Sequence, residues 1–176
     1  METLKFCKVR KVKNPNRAHS TDAGIDFFIP EDLTKEQFLA KCDITRNYVD
    51  FELNQNGFVE TIILSPGQSV LIPSGIHVKI PDGYALIFMN KSGIATKKYL
   101  HIGASVVDQC YFGECHINLT NVGDCNVRIS AGEKIAQGLL IPVLYSQLEE
   151  YPSVDKLYEN SESDRKSGGF GSTGTK

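Results

Sequence analysis

The clearest structural signal in the chain is Gly103-Ala-Ser-Val-Val-Asp-Gln-Cys-Tyr-Phe-Gly-Glu114. Val106 and Val107 favour an extended chain, and the glycines near both ends mark turns or close backbone approach, so the segment predicts a β-hairpin. Asp108 follows the apolar pair, and a carboxylate on a rigid hairpin is well placed to take a proton from water. Tyr111 follows it closely and can form the floor of a pocket for a flat or sugar-like ligand. The simpler interpretation is a surface hairpin with a solvated Asp and a packing Tyr.

Short β runs separated by turn residues make up most of the chain around this segment. Turn residues separate them, as at Asn54-Gln-Asn-Gly57, Pro73-Ser-Gly75 and Pro81-Asp-Gly83. The predicted strands are residues 1–12, 25–29, 49–57, 58–64, 69–72, 76–80, 84–89, 115–122, 127–133 and 134–143. Many short strands at regular spacing favour an all-β barrel or sandwich.

One short helix is predicted near residues 33–41. Leu33, Phe38 and Leu39 fall near helical spacing, and Asp32 or Thr34 can cap the first turn. No other convincing helix precedes the last third of the chain.

Composition describes an ordinary globular domain. The chain has 176 residues, 41% of them hydrophobic and 23% charged, with a net charge of −2. This balance does not suggest a sequence-independent nucleic-acid binder, and the longest apolar run, residues 139–144, is too short to span a bilayer. We therefore expect neither nucleic acid nor membrane as a partner.

The cysteine pattern favours a reducing compartment. The five cysteines are Cys7, Cys42, Cys110, Cys115 and Cys125. Their number is odd and no CxxC pair occurs, so we expect buried free thiols, with metal ligation by Cys110 and Cys115 as the alternative. The N-terminus has no apolar signal core, which predicts a cytoplasmic protein, or one in the host cytoplasm if it is viral.

Two segments carry groups that suit phosphate. Lys91, Ser92 and Gly93 follow a predicted strand at a turn, where free backbone amides, a hydroxyl and a cation can hold an anion. Gln137 is a polar residue inside the most apolar strand, so it needs hydrogen-bond partners, either structural ones or a ligand.

The last residues, 161–176, form a Gly/Ser/Thr-rich tail. The tail is interpreted either as a disordered terminus or as a loop that closes over a nucleotide. Glycines flank Phe170, which can stack on a base, while Arg165, Ser172 and Thr173 can hold phosphate oxygens. The GxxxxGK[ST] pattern is absent, so this is not an ordinary P-loop.

Five segments in this order resemble the five motifs of the homotrimeric dUTPase family. They are Asp22-Ala-Gly-Ile-Asp26; Pro81-Asp-Gly-Tyr84 leading to Lys91-Ser-Gly-Ile-Ala95; Gly103 to Glu114; Gly132-Glu-Lys-Ile-Ala-Gln137; and Arg165-Lys-Ser-Gly-Gly-Phe-Gly-Ser-Thr-Gly174. The resemblance implies a distorted jelly-roll β-barrel that assembles as a homotrimer with three sites at subunit interfaces. It also implies hydrolysis of dUTP to dUMP and pyrophosphate, which limits uracil in DNA and supplies dUMP for dTMP synthesis.

The resemblance assigns roles to the base and sugar residues. The backbone of residues 103–108, with Gly103 and Val107, would read uracil and leave little room for a 5-methyl group. Asp108 would orient and deprotonate the attacking water, and Tyr111 would lie against the deoxyribose and exclude a 2′-hydroxyl. Phe170 would cover the uracil.

The resemblance likewise assigns the phosphate and metal contacts. The phosphate-binding residues would be Lys91, Ser92, Gly93, Gln137, Arg165, Gly171, Ser172 and Thr173. Mg²⁺ would be held mostly by triphosphate oxygens and water, with Asp26 in its outer shell. The barrel would occupy residues 1–160, with an insertion at about 31–65, and residues 161–176 would form a flexible arm that closes over the site.

Some positions depart from the family pattern and leave alternatives open. Lys91 stands where Arg is common, which removes a planar fork, and Lys166 replaces a common Gly in the tail. The insertion could be decoration, a trimer contact or a docking surface for a protein partner. One alternative is therefore a nucleotide-dependent regulatory binding protein. The other is a relative of dCTP deaminases, which the lack of Glu in Asn118-Leu-Thr120 disfavours.

Overall fold

The structure is a computed structural model that describes residues 2–39, 49–163 and 167–168. The strands in these residues are β1 (Lys5–Lys8), β2 (Ile25–Phe28), β3 (Asp50–Leu53), β4 (Val59–Leu64), β5 (Ser69–Pro73), β6 (Ile76–Lys79), β7 (Tyr84–Asn90), β8 (Leu100–Ile102), β9 (Val106–Val107), β10 (His116–Asn121), β11 (Val127–Ser130) and β12 (Lys134–Pro142). The helices are α1 (Lys35–Leu39), α2 (Ser92–Lys98) and α3 (Val154–Leu157). The all-β prediction is therefore confirmed.

The strands pair antiparallel in four small sheets. Their orders are β1-β6, β5-β10-β8, β11-β4-β3 and β2-β12-β7-β9. β12 is the longest strand and lies between β2 and β7, so it brings the first and second motifs beside the fourth. This pairing places Gln137 opposite both Asp26 and Met89.

One hydrophobic core lies beneath these sheets. Alternation along β10 buries Ile117 and Leu119, as expected for a strand with one face on the core. Phe27 of β2 and Phe88 of β7 meet edge to face, with ring centroids 4.9 Å apart. The strands that carry the candidate site are thus fixed by packing on their inner face.

The predicted hairpin over residues 103–114 is wrong in its pairing. The hairpin strands are β8 and β10, which lie outside that segment. Inside it, β9 pairs with β7, with Val107 opposite Leu86. In this position Val107 is buried and belongs to the hydrophobic core, which favours the observed pairing.

The prediction of a single helix before the last third of the chain is also wrong. The residues read as a turn at Lys91 to Ala95 begin helix α2. Gly93 and Thr96 are weak helix formers, and Lys91 makes no side-chain cap at the helix start. The helix therefore depends on its surroundings, including an ion pair from Lys98 to Glu133 at 2.6 Å.

The segment predicted as an insertion contributes to the core. Leu33 and Phe38 are buried around α1, and β4 lies between β11 and β3. The predicted turn between β3 and β4 is present, since Asn54 Oδ1 accepts from the backbone N–H groups of Asn56 and Phe58. The status of residues 31–65 as an insertion stays a prediction, and 40–48 lie outside the described residues.

The chain divides into two compact units, Met1–Leu144 and Tyr145–Lys176. Helix α3 of the second unit begins with a cap in which Ser153 Oγ accepts from the Lys156 N–H at 3.2 Å. The predicted arm residues Arg165, Phe170, Gly171, Ser172 and Thr173 lie outside the described residues. No helix in the described part of the chain is long and apolar enough to cross a membrane.

Candidate active site

A cavity of about 190 Å³ opens where β9 ends. The residues that line it are Leu71, Phe88, Ala104, Ser105, Val106, Val107, Asp108, Tyr111, Cys115 and His116. It therefore brings together three residues that the sequence predicted for base, sugar and water, namely Val107, Asp108 and Tyr111. Residues 104–107 form one wall of the cavity.

Asp108 lies at the exposed rim of this cavity. The residue directly follows β9, and its backbone carbonyl accepts from the Tyr111 N–H at 3.0 Å. That hydrogen bond closes a tight turn which keeps the carboxylate and the Tyr ring on the same cavity. An exposed carboxylate on a fixed turn can reach a water molecule and accept its proton.

The Tyr111 ring is held at its outer end. Its hydroxyl donates to the Glu114 carbonyl oxygen at 3.0 Å. The ring lies so close to Gly113 that a Cβ there would stand 2.4 Å from the hydroxyl oxygen. Only glycine at this position leaves room for the ring.

Asn118 fixes the backbone on the other side of the cavity. The Gly103 N–H donates to the Asn118 carbonyl at 3.0 Å, and the Ala104 N–H donates to Asn118 Oδ1 at 3.2 Å. A Cβ on Gly103 would lie 2.0 Å from that same Oδ1. The sequence singled out Gly103 but missed Asn118, because only strand pairing shows that β10 reaches this backbone.

Gln109 ties the turn to the second motif. Its Nε2 donates to Asp82 Oδ1 at 2.8 Å, and its Oε1 accepts from the Gly83 N–H at 3.1 Å. Sequence reasoning also missed this residue, since nothing in the local pattern distinguishes it from a solvated Gln. The contact anchors the turn after Asp108 to the residues just before β7.

A partly buried ion pair holds the end of the same segment in place. Arg10 binds Glu114 through both ends of its planar group, Nε to Oε1 at 2.7 Å and Nη2 to Oε2 at 2.9 Å. The Gly75 N–H also donates to Oε1, at 2.7 Å. Burial raises the pKa of Glu114, but the hydrogen bonds from Arg10 and Gly75 outweigh it and hold that pKa below its usual value.

The predicted metal residue Asp26 is paired with two lysines. Its carboxylate, almost fully buried, accepts from Lys91 Nζ on Oδ1 and from Lys134 Nζ on Oδ2, the latter at 2.8 Å. Burial raises the pKa of Asp26, but the bonds from Lys134 and Lys91 outweigh it and lower the pKa below its usual value. Lys91, predicted to contact phosphate, thus has a carboxylate partner in this structure.

The other predicted phosphate residues that the structure describes are Gln137, Ser92 and Gly93, which lie near this ion pair. Gln137 Nε2 donates to the Asn90 carbonyl at 2.8 Å, next to Lys91 in the chain. Gln137 also packs on Gly24, where a Cβ would lie 2.1 Å from its Oε1. Ser92 and Gly93 follow at the exposed start of α2.

The predicted magnesium contact is Asp26, in the outer shell of an ion held mostly by the triphosphate. No group of three or more His, Cys, Asp or Glu side chains in the described residues could hold a metal. Both oxygens of Asp26 already accept from ammonium groups, which compete with a metal ion for the carboxylate. Mg²⁺ retains waters and binds substrate phosphates readily, so this arrangement suits it.

The four cysteines within the described residues are all free thiols. Cys115 is fully buried, and burial, with the nearby charge of Glu114, raises the pKa of its thiol to about 11. The thiol therefore stays protonated and unreactive at neutral pH. Cys7, Cys110 and Cys125 are free but exposed, which corrects the expectation that they are buried.

The chain matches a family model and is similar to several curated proteins. The dUTPase family model matches residues 58–174. The chain is 38% identical to the deoxyuridine 5′-triphosphate nucleotidohydrolase of Brucella melitensis over 116 residues, which is 65% of this chain and 70% of that protein. It is 35% identical to the enzyme of the same name from a Hydrogenobaculum species over 119 residues, 66% of this chain and 78% of that protein.

Solved structures extend the similarity over nearly the whole chain. The dUTPase of Staphylococcus bacteriophage 80alpha, in complex with dUPNHPP, superposes with a TM-score of 0.73. The two proteins are 25% identical, and the match covers 99% of each chain. The predicted jelly-roll fold is thereby confirmed.

Proposed function

The chain belongs to the dUTPase family, and we propose that its cavity at the end of β9 hydrolyses dUTP to dUMP and pyrophosphate. The observation that carries this proposal is that residues 104–107, Asp108 and Tyr111 line one cavity. It combines a polar backbone edge for uracil, a base for water and a ring for the sugar.

Asp108 is the general base in this mechanism. It accepts a proton from a water molecule as the water oxygen attacks the α-phosphorus, and the bond from that phosphorus to the bridging oxygen breaks as pyrophosphate leaves. The turn that holds Asp108 beside Tyr111 orients the water relative to a bound sugar. Tyr111 packs against the deoxyribose, so a 2′-hydroxyl would meet its ring.

The triphosphate lies against the residues around α2 and β12. Ser92 and Gln137 donate to its oxygens, and Lys91 adds positive charge while it remains bonded to Asp26. The arm residues complete the clamp: Arg165, Phe170, Gly171, Ser172 and Thr173. Magnesium on the triphosphate would neutralise charge on the departing pyrophosphate.

Assembly completes the site in this proposal. The active protein is a homotrimer whose sites lie at subunit interfaces, and the arm of residues 161–176 closes over bound substrate and excludes water. We also propose a cytoplasmic location, which the cysteine pattern supports.

The deciding test is pyrophosphate release with Mg²⁺ and dUTP, dTTP, dCTP or UTP as substrate. We expect dUTP to be hydrolysed selectively and Asp108→Asn to lower kcat about 10²- to 10⁴-fold, as for loss of a general base. The control is Asp50→Asn, which changes an exposed carboxylate on β3 and should leave the rate unchanged. Full activity in Asp108→Asn would contradict the assignment.

A second candidate function is nucleotide-dependent regulation of a protein partner through residues 31–65. Phage dUTPases, the 80alpha protein among them, have been described as controlling transfer of virulence genes by a G protein-like mechanism. The similarity to that protein over 99% of both chains favours this alternative. If it holds, Asp108→Asn protein bound to dUTP keeps the regulatory effect without turnover.

A further inference from the structure

We infer that Arg10, outside the cavity, is a positioning residue that sets discrimination against the 2′-hydroxyl by fixing Glu114, which holds the Tyr111 ring. This inference rests on the proposed function, because it assigns Tyr111 to the sugar. It assigns a role in substrate specificity to Arg10, which follows β1 and is far in sequence from the turn at Asp108.

The first step is the attachment of the ring. Tyr111 is 42% exposed, so packing alone does not hold it against the cavity. Its hydroxyl donates to the Glu114 carbonyl at 3.0 Å, and His116 Nδ1 lies 2.7 Å from the same oxygen. The position of the Glu114 backbone therefore sets where the tip of the ring lies.

The second step is the attachment of Glu114 itself. Two parallel hydrogen bonds from the planar guanidinium of Arg10 restrain the carboxylate in direction as well as distance. The Gly75 N–H adds a third bond to the carboxylate, from the turn between β5 and β6. The Arg10 and Glu114 side chains are only 19% and 12% exposed, so water competes weakly for these bonds.

The third step is the rest of the loop. Phe112 is 80% exposed and contributes little packing, although its carbonyl oxygen lies 2.9 Å from His77 Nδ1. The loop between Tyr111 and Glu114 thus depends on a few polar contacts rather than on apolar burial. Removing the strongest of them frees the ring to swing away from the sugar.

A displaced ring leaves space for a hydroxyl at the 2′ position. Chemistry at Asp108 depends less on Arg10, because the turn at Asp108 is anchored separately through Gln109 to Asp82 and Gly83. Loss of the Arg10 clamp should therefore change the ratio of kcat/KM for dUTP to that for UTP more than it changes kcat for dUTP.

The experiment measures kcat/KM for dUTP and UTP in Arg10→Gln and Arg10→Lys. We expect the dUTP/UTP ratio to fall about tenfold in Arg10→Gln, the size of a lost steric contact at one group, and less in Arg10→Lys, which keeps the charge but not the fork. Arg128→Gln is the matched control. It breaks an exposed ion pair with Glu52 on another sheet and should leave the ratio unchanged.

A double variant separates positioning from general stability. In Tyr111→Phe the bond to Glu114 is already gone, so adding Arg10→Gln should change the ratio no further. A lower Tm in Arg10→Gln with an unchanged ratio would overturn the inference and leave the proposed function intact. Wild-type protein that hydrolyses no dUTP would overturn both.

Discussion

Gly113 is the residue whose lack of a side chain lets the Tyr111 ring lie along the catalytic loop. In Gly113→Ala the new methyl group would stand 2.4 Å from the Tyr111 hydroxyl oxygen and 2.5 Å from Cζ. The ring tip can swing, so we expect the protein to fold with little change in Tm, a higher KM for dUTP and a lower dUTP/UTP ratio.

Steady-state kinetics with both nucleotides and a thermal melt check this prediction. Gly67→Ala provides the opposite control, because Gly67 has φ of +78° and open space around it. That variant should lose about 1–2 kcal/mol of stability through backbone strain and keep its substrate ratio. A Gly113→Ala protein with wild-type kinetics would show that the ring position does not matter.

At the scale of elements, one carboxylate joins three parts of the fold. Asp26 on β2 pairs with Lys91 at the start of α2 and with Lys134 on β12. We expect Asp26→Asn to lose about 1.5–3 kcal/mol at pH 7, since two charge-assisted hydrogen bonds weaken. It should also raise KM for dUTP, because Lys91, a proposed phosphate contact, loses its carboxylate partner.

The ion pairs of Asp26 with the two lysines also predict how the stability of the fold depends on pH. The folded pKa of Asp26 is lowered, so its stabilisation is complete above the unfolded pKa of about 3.9 and is lost as pH falls through the folded value. Urea unfolding of wild type and Asp26→Asn should therefore differ at pH 7 and converge in acid. Glu31→Gln, which breaks an exposed pair with Lys11, should cost at most about 1 kcal/mol. A gap between wild type and Asp26→Asn that widens in acid would contradict the assignment.

The elements also show what the local pattern could predict. Turn signals and alternation marked the hairpin of β3 and β4 and the strands β10 and β12, because these features depend on neighbouring residues. Helix α2 was missed, since Gly93 and Thr96 oppose it and tertiary contacts such as Lys98 to Glu133 support it. The predicted partner of strand β9 was wrong, because a pattern of two residues is too short to determine which strand it pairs with.

At the scale of the molecule, the residues proposed to act on the substrate were more predictable than those that hold them in place. Asp108, Tyr111 and Gln137 stand in motifs with a recognisable order along the chain. Arg10 and Glu114 are 104 residues apart, and Asp26 and Lys134 are 108 apart, so no local signal links them. The contacts that hold the site residues form only when the barrel brings distant strands together, so the sequence alone does not show them.

The proposed trimer makes the last prediction, which concerns how the sites are divided among subunits. If Asp108 and Arg165 of one site come from different protomers, Asp108→Asn and Arg165→Ala proteins should complement each other. After equal amounts are unfolded and refolded together, roughly a quarter of the sites should carry both native residues. The activity of the mixture should therefore rise well above that of either parent. Activity is expressed per amount of trimer, and light scattering confirms the trimer mass. If both residues of a site came from one protomer, no exchange of subunits could restore a native site, and the mixture would stay as inactive as its parents.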